Sequence, residues 1–319
     1  EQFLNVFYAT STNAVELGEW MATSIADGRG TAICGDDVLI VTTINNFLYF
    51  VEVDGKRHDA HMHELFHTQK WRAYEQVHKS TGEPAPGCAK LIEASQEATF
   101  GSSRFGVKAE FQYRVRSGDP DTTGGNCVAT HSIAHKIDEL LRAGASDAEV
   151  ADQILLHGYE ITFLKTLDMS KITFLSGLFI PVDGRIVWSP KPGRLIASLG
   201  WSGKNPCTSK VAFTNYAGTL NSFANYKFVP FLRKYLQQAL QLVPESFRGF
   251  TSCEKRTVKT DVEMPDHPTA ETWQYMLDRY GLTELDELAF EADLGRVTSL
   301  PFMLDSTVAR VLFDMDVYT

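Results

Sequence analysis

Two adjacent aspartates interrupt an apolar stretch. Thr31-Ala32-Ile33-Cys34 leads into Gly35-Asp36-Asp37, and Val38-Leu39-Ile40-Val41 leads out. Paired acids at the bend of an apolar hairpin are costly unless something positive neutralises them. Hard divalent ions, which prefer carboxylate oxygens, do this well. Taken alone, the tripeptide reads equally well as an ordinary Asp-Asp turn. A further acid, Asp54, closes the strand-like run Phe50-Val51-Glu52-Val53. If that strand end lies beside the hairpin, Asp54 and Asp36 meet at a shared pair of metal ions. In such a pair one ion activates an attacking hydroxyl and the other holds a triphosphate and its leaving pyrophosphate. Asp37, next to Asp36, points the other way along a strand and takes a supporting role. Glu52 alternates with Asp54, and its face is open. Asp59, in the turn that follows, is placed to meet a ribose hydroxyl or else to cap a helix.

A third run, Arg116-Ser117-Gly118-Asp119-Pro120-Asp121-Thr122-Thr123-Gly124-Gly125-Asn126, opens a long helix. Gly118 and Pro120 shape a loop, while Ser117, Thr122 and Asn126 offer neutral polar groups suited to ribose and template backbone. Asn126 falls one helical turn after Thr122, on the same face. A well-capped helix explains Thr122 or Asp121, but not the density of the whole run.

The elements that must hold these residues follow from periodicity and turn chemistry. Asn13 with Glu16 predicts a capped helix using Val15, Trp20, Met21 and Ile25, stopped by Gly28 and Gly30. Residues 31–43 predict a hairpin with acids at its tip, and 47–53 a buried strand. Residues 60–100 read as largely helical with a break near 82–87, 107–115 as a strand and 123–143 as one long helix. Ser146 with Glu149 caps a helix over 147–156, and 159–164 is a strand. A hairpin of 172–180 with 185–188 turns at Asp183-Gly184. From about Ser209 the texture becomes helical, over 209–225, 228–242, 269–279 and 284–290, with a domain boundary near Gly200–Pro206.

Composition bounds the rest. The chain has 319 residues, 44% of them hydrophobic, enough for a large core or two domains. No apolar run approaches a membrane span. The five cysteines form no pair at metal-ligand spacing and read as reduced thiols of a cytosolic protein. There is no signal-peptide pattern. The first residue is Glu1, which predicts a fragment or a processed product. The net charge of -10 weighs against a nucleic-acid binder. However, residues 254–319 carry 14 Asp plus Glu against 6 Lys plus Arg, leaving only -2 on the first 253.

Together the three runs resemble motifs A, B and C of positive-strand RNA virus RNA-dependent RNA polymerases. Asp54 to Asp59 resembles motif A. Ser117-Gly118 with Thr122 and Asn126 resembles motif B, and Gly35-Asp36-Asp37 motif C. The order here is C, A, B, similar to the permuted polymerases of birnaviruses and permutotetraviruses, with Gly-Asp-Asp closer to the latter. Residues 146–164 resemble motif D, and 172–179 motif E.

The resemblance implies an α+β fold: a right-hand polymerase palm of antiparallel sheet with helices, a partial fingers insertion and a helical thumb. The palm would cover 1–204, the fingers-like insertion about 60–112, and the thumb with a C-terminal extension 205–319. It implies RNA-templated RNA synthesis with Mg²⁺, or Mn²⁺ in its place, bound by Asp36, Asp54 and Asp37. Asp59 and Asn126 would read the ribose, with Ser117 and Gly118 in a mobile loop. Lys165 would be the general acid for pyrophosphate, with Lys171 the alternative. The implied partners are template and nascent RNA, nucleoside triphosphates, and a fingers segment or other viral replication proteins. The implied location is host cytoplasm, in a replication complex or virion. No basic motif F is visible, so a truncated, inactive palm and thumb stays open. A reverse-transcriptase-like enzyme and a non-catalytic structural protein are the remaining alternatives.

Overall fold

The computed structural model describes residues 6–55, 62–82, 94, 98–113, 122–199, 210–249, 264–300 and 302–317. The chain forms two compact units. One comprises Glu1–Ser11 and Ser24–Asp168, the other Thr12–Thr23 and Met169–Thr319.

The first unit is built on a five-stranded sheet. Its early strands are β1 (Val6–Tyr8), β2 (Arg29–Cys34), β3 (Asp37–Ile44) and β4 (Phe47–Gly55). A separate hairpin follows, β5 (Ala98–Ser102) with β6 (Lys108–Gln112), and β7 (Ile161–Thr166) completes the main sheet. The order is β1-β2-β3-β4-β7, antiparallel except for the β1–β2 pair. β3 and β4 meet at Asn45-Asn46, both left-handed with φ of 51° and 66°. This is the two-residue turn that matches the twist of paired strands. Side chains alternate along each strand. Ile33, Val38, Ile40, Val51 and Val53 therefore face one side and join one buried cluster.

Among the described residues, four helices accompany the early chain. They are α1 (Ala14–Asp27), α2 (Glu64–Thr81), α3 (Thr122–Arg142) and α4 (Asp147–Leu156). From α3, Cys127, Ile133, Ala134 and Ile137 pack on the apolar sheet face, and Val150 and Ile154 of α4 join them. The expected caps form. Asn13 Oδ1 accepts the Val15 and Glu16 N–H groups at 2.9 Å, and Glu16 reaches back to the Asn13 N–H at 3.0 Å. Ser146 and Glu149 make the same reciprocal pair.

The second unit holds the hairpin β8 (Gly177–Val182) and β9 (Arg185–Pro190) and seven helices among the described residues. These are α5 (Pro192–Ser198), α6 (Lys210–Ser222), α7 (Leu232–Leu242), α8 (Glu245–Arg248), α9 (Ala270–Tyr280), α10 (Glu284–Gly295) and α11 (Thr307–Val317). Leu178, Ile180 and Val187 of the hairpin are buried with Leu232, Met276 and Phe290 of the helices. The hairpin therefore groups with the helices rather than with the five-stranded sheet. The units divide at Asp168–Met169, and the boundary expected near Gly200–Pro206 falls outside the described residues.

Other expectations need correction. The expected strand over 172–180 begins only at Gly177, because Leu175 and Ser176 are both left-handed and turn the chain. Gly177 is required there: a Cβ would lie 2.2 Å from the Trp188 ring, whose N–H is held by the Phe174 carbonyl at 2.8 Å. In the stretch 60–100 the expected helix is present as α2 and stops at the left-handed Gly82, where a break was expected; among the described residues only 98–100, which open β5, depart from the expectation. Helices α5 and α11 were not expected. They pack on each other so closely that a Cβ on Gly193 would meet the Leu312 carbonyl at 2.1 Å. Among the described residues, no helix is long and apolar enough to cross a membrane.

Candidate active site

The pairing of Cys34 with Asp37 leaves Gly35-Asp36 as a two-residue turn between β2 and β3. Gly35 is left-handed at φ 66°, a conformation that costs glycine little. Val38 pairs with Val53 and Leu39 with Glu52. One step further along the ladder sets Asp37 beside Asp54. By alternation Asp37, Glu52 and Asp54 share the sheet face opposite the α3 and α4 cluster. Asp36 and Asp54 are exposed, while Asp37 and Glu52 are half-buried. The sequence left the face of Glu52 open, and the register places it with Asp54.

Electrostatics record this gathering. Burial pushes the Asp37 carboxyl up to about 6, and the negative charges of Asp36, Asp54 and Glu52 push the same way. Cys34, beside the turn, is raised to about 11 by burial, with Cys127, Asp37 and Asp36 adding to it. It therefore stays a thiol at neutral pH. Among the described residues, no three His, Cys, Asp or Glu side chains are gathered closely enough to enclose a metal ion.

Two residues that sequence reasoning missed fix the turn from behind. Cys127 Sγ accepts the Gly35 N–H at 3.2 Å. The Thr130 hydroxyl reaches the Gly35 carbonyl at 2.7 Å and the Asn126 carbonyl at 2.6 Å. A hydroxyl has one hydrogen, so these two carbonyls share or exchange it. Both polar groups of Gly35 are thus tied to α3, and Thr130 and Cys127 are buried. The available signal was spacing: Cys127 and Thr130 lie three apart on the helix that also carries Asn126, hence on one face. On the far side of the carboxylates, Gly55 follows Asp54 and lies against Tyr159. A Cβ there would come within 2.3 Å of the tyrosine hydroxyl.

The remaining expected site residues are less concentrated. Asn126 lies on α3 and is buried at 4% exposure. Thr122 is the first residue of α3. Asp59, Ser117 and Gly118 lie outside the described residues. Lys165 pairs with Val51, on the face opposite Glu52 and Asp54. Its ammonium is bonded to Asp147 at the start of α4 and lies over the Tyr49 ring at 5.8 Å. The structure does not bring it to the carboxylates. Lys171 is exposed at the end of a single 3₁₀ turn in the second unit.

No protein-family model and no curated protein matches this sequence. Among solved structures it is similar to the X-ray structure of the birnavirus VP1–VP3 complex. That match has 13% identity and a TM-score of 0.46, and covers 97% of this chain and 43% of the other. It is also similar to the RNA polymerase VP1 from Infectious Pancreatic Necrosis Virus. Here identity is 14% and the TM-score 0.44, over 97% of this chain and 47% of the other. The chain spans less than half the length of either protein.

Proposed function

We propose that this chain carries the palm carboxylates of an RNA-templated RNA polymerase. It would join nucleoside triphosphates to an RNA 3′-hydroxyl and release pyrophosphate during viral replication. The observation supporting this is the shared sheet face of Asp37, Glu52 and Asp54, with Asp36 on the adjoining glycine turn. A group of acids whose negative charges raise the proton affinity of Asp37 suits a cation. Carboxylate oxygens are the donors that Mg²⁺ or Mn²⁺ prefers. Asp36 and Asp54 would hold the ions, with Asp37 in support. Both side chains are exposed and so open to a cation from solvent. When bound, such ions stabilise charge on the attacking and leaving oxygens of phosphoryl transfer.

The chain's own contribution is rigidity. β3 and β4 fix the backbones of Asp37 and Asp54, and the α3 contacts to Gly35 fix that of Asp36. Asp59 and Asn126, with Ser117 and Gly118, would discriminate ribose from deoxyribose, and Thr122 would lie beside the template. Lys165, on the far face, has no part in this proposal. Template and nascent RNA are the partners we propose, with other viral replication proteins supplying what a complete polymerase needs. The setting would be a replication complex in host cytoplasm or a virion.

The test is templated incorporation with Mg²⁺ or Mn²⁺, using the full-length protein. Asp36→Asn and Asp54→Asn keep side-chain size and remove charge, so the proteins should fold while synthesis collapses. Near wild-type synthesis by either variant would sink the assignment.

A further inference from the structure

Among the described residues, the hairpin β5–β6 forms a two-stranded sheet of its own. A lone two-stranded hairpin is marginal in water, yet this one turns large rings outward. Phe100 is 75% exposed and Phe105 79%. The tip that presents Phe105 is well made. Ser103 Oγ accepts the N–H groups of Phe105 and Val107 at 3.2 Å each, and the Ser103 N–H reaches the Val107 carbonyl at 2.8 Å. Phe105 is thus displayed from a defined loop, and the Arg104 guanidinium lies over its ring at 4.8 Å.

Register sorts the two faces. Phe100 pairs with Glu110 and Ser102 with Lys108, so these four share one face. Phe111 falls on the other, over the bare Cα of Gly101. The hairpin therefore offers two exposed rings, Phe100 on this face and Phe105 at the tip, with the cations Lys108 on the face and Arg104 at the tip. Glu110 is its one acid among the described residues. Charge favours a polyanion over an apolar protein surface. The sequence from 98 to 116 holds Arg104, Lys108, Arg114 and Arg116 against Glu110 alone, within a chain of net charge -10. Exposed rings interleaved with cations are the combination that binds single-stranded nucleic acid, by base stacking and phosphate pairing.

We propose that this face and the tip of the β5–β6 hairpin together form a stacking platform for single-stranded RNA, with Phe100 and Phe105 taking bases and Arg104 and Lys108 taking phosphates. The choice of RNA rests on the polymerase reading above. The platform itself rests only on the hairpin.

The experiment is fluorescence anisotropy of a labelled, mixed-sequence single-stranded oligoribonucleotide with the full chain, in EDTA so that no metal-dependent step contributes. Phe105→Leu keeps apolar contact but removes the planar π face. It should weaken binding roughly fivefold or more, as should Phe100→Leu, by the usual effect of losing a base-stacking ring. Phe105→Trp should hold or tighten binding. Arg104→Gln and Lys108→Gln should each flatten the dependence of log affinity on log salt by about 0.7 per lost phosphate contact. Glu110→Gln should tighten binding. Because these side chains are exposed, melting temperatures should not move. The assay contains no nucleotide and no metal and reads binding alone, so loss of the polymerase reading would leave this result standing. Leucine variants that bind RNA like wild type would overturn the platform. So would sedimentation showing that the hairpin variants abolish self-association of the chain while RNA affinity is unchanged, since the rings would then cover a second copy.

Discussion

Replacing Asp37 with asparagine should stabilise the metal-free protein near neutral pH. The carboxyl is pushed from its ordinary 3.8 to about 6, by burial first and by Asp36, Asp54 and Glu52 next. At about 1.36 kcal/mol per pH unit, ionising it in the folded chain costs about 3 kcal/mol more than in the unfolded chain. Because the side chain keeps some contact with solvent, the measured penalty should fall between about 1 and 3 kcal/mol. The sign follows from linkage: a raised folded-state value means the folded chain holds the proton more tightly. The stability Asp37 contributes is complete below 3.8 and lost as pH rises through about 6. Asp37→Asn cannot ionise and escapes that loss. Urea denaturation at about pH 7 should therefore find the variant more stable than wild type, with the gap closing toward about pH 4. Adding Mg²⁺ should narrow the gap from the other side, because a ligand of the folded state stabilises the chain whose carboxylates bind it better. A pH-independent difference, or a variant less stable at neutral pH, would refute the crowding of charge on this face.

Further outcomes follow from the same geometry. Thr130→Val removes the hydroxyl that holds the Gly35 carbonyl. It should lower the rate of incorporation with little change in KM for nucleotide, and Thr130→Ser should restore it; equal rates in all three would dismiss the tie. Lys165→Leu should leave incorporation near wild type and cost under about 1 kcal/mol, since it loses a pair whose acid is largely exposed. Slowed turnover in that variant, with Lys171→Leu unaffected, would return Lys165 to proton donation. Glu287→Ala should cost about 3–5 kcal/mol in denaturation. Glu287 is buried, takes two bonds from Arg233 and accepts the N–H of Phe231, whose φ is 61°. A loss below about 1 kcal/mol would show that water replaces the carboxylate there.

The parts of the site that could be read in advance are those set by local rules. Gly35-Asp36-Asp37 between β-branched runs specifies a hairpin, and alternation from Asp54 back through Glu52 specifies a face once a register is known. The register itself could not be read, so Glu52 stayed undecided until Leu39 was found opposite it. The caps at Asn13 and Ser146 were legible because a cap needs only residues three apart. Cys127 and Thr130 were not, because their role depends on which helix lies behind the turn, and they bond to a residue more than ninety positions away. The side on which Lys165 lies could not be read for a related reason. Its distance from Asp54 along the chain says nothing of which side of β7 it occupies. Gly177 and Trp188 show the same limit in the second unit, where close packing set a turn inside an apolar run that read as continuous strand.

The two-residue link at Asn45-Asn46 also bears on the order in which the molecule assembles. Asp37 and Asp54 stand seventeen positions apart on consecutive strands, so bringing them together requires closing only a short loop. Loop closure is cheap at that span, and contacts of low sequence separation form early. The hairpin that bears the acids can fold before the α3 residues, some ninety positions downstream, emerge to fasten Gly35. A chain with the same sheet but with these two strands far apart in sequence would have to wait for a long-range encounter before its carboxylates could meet.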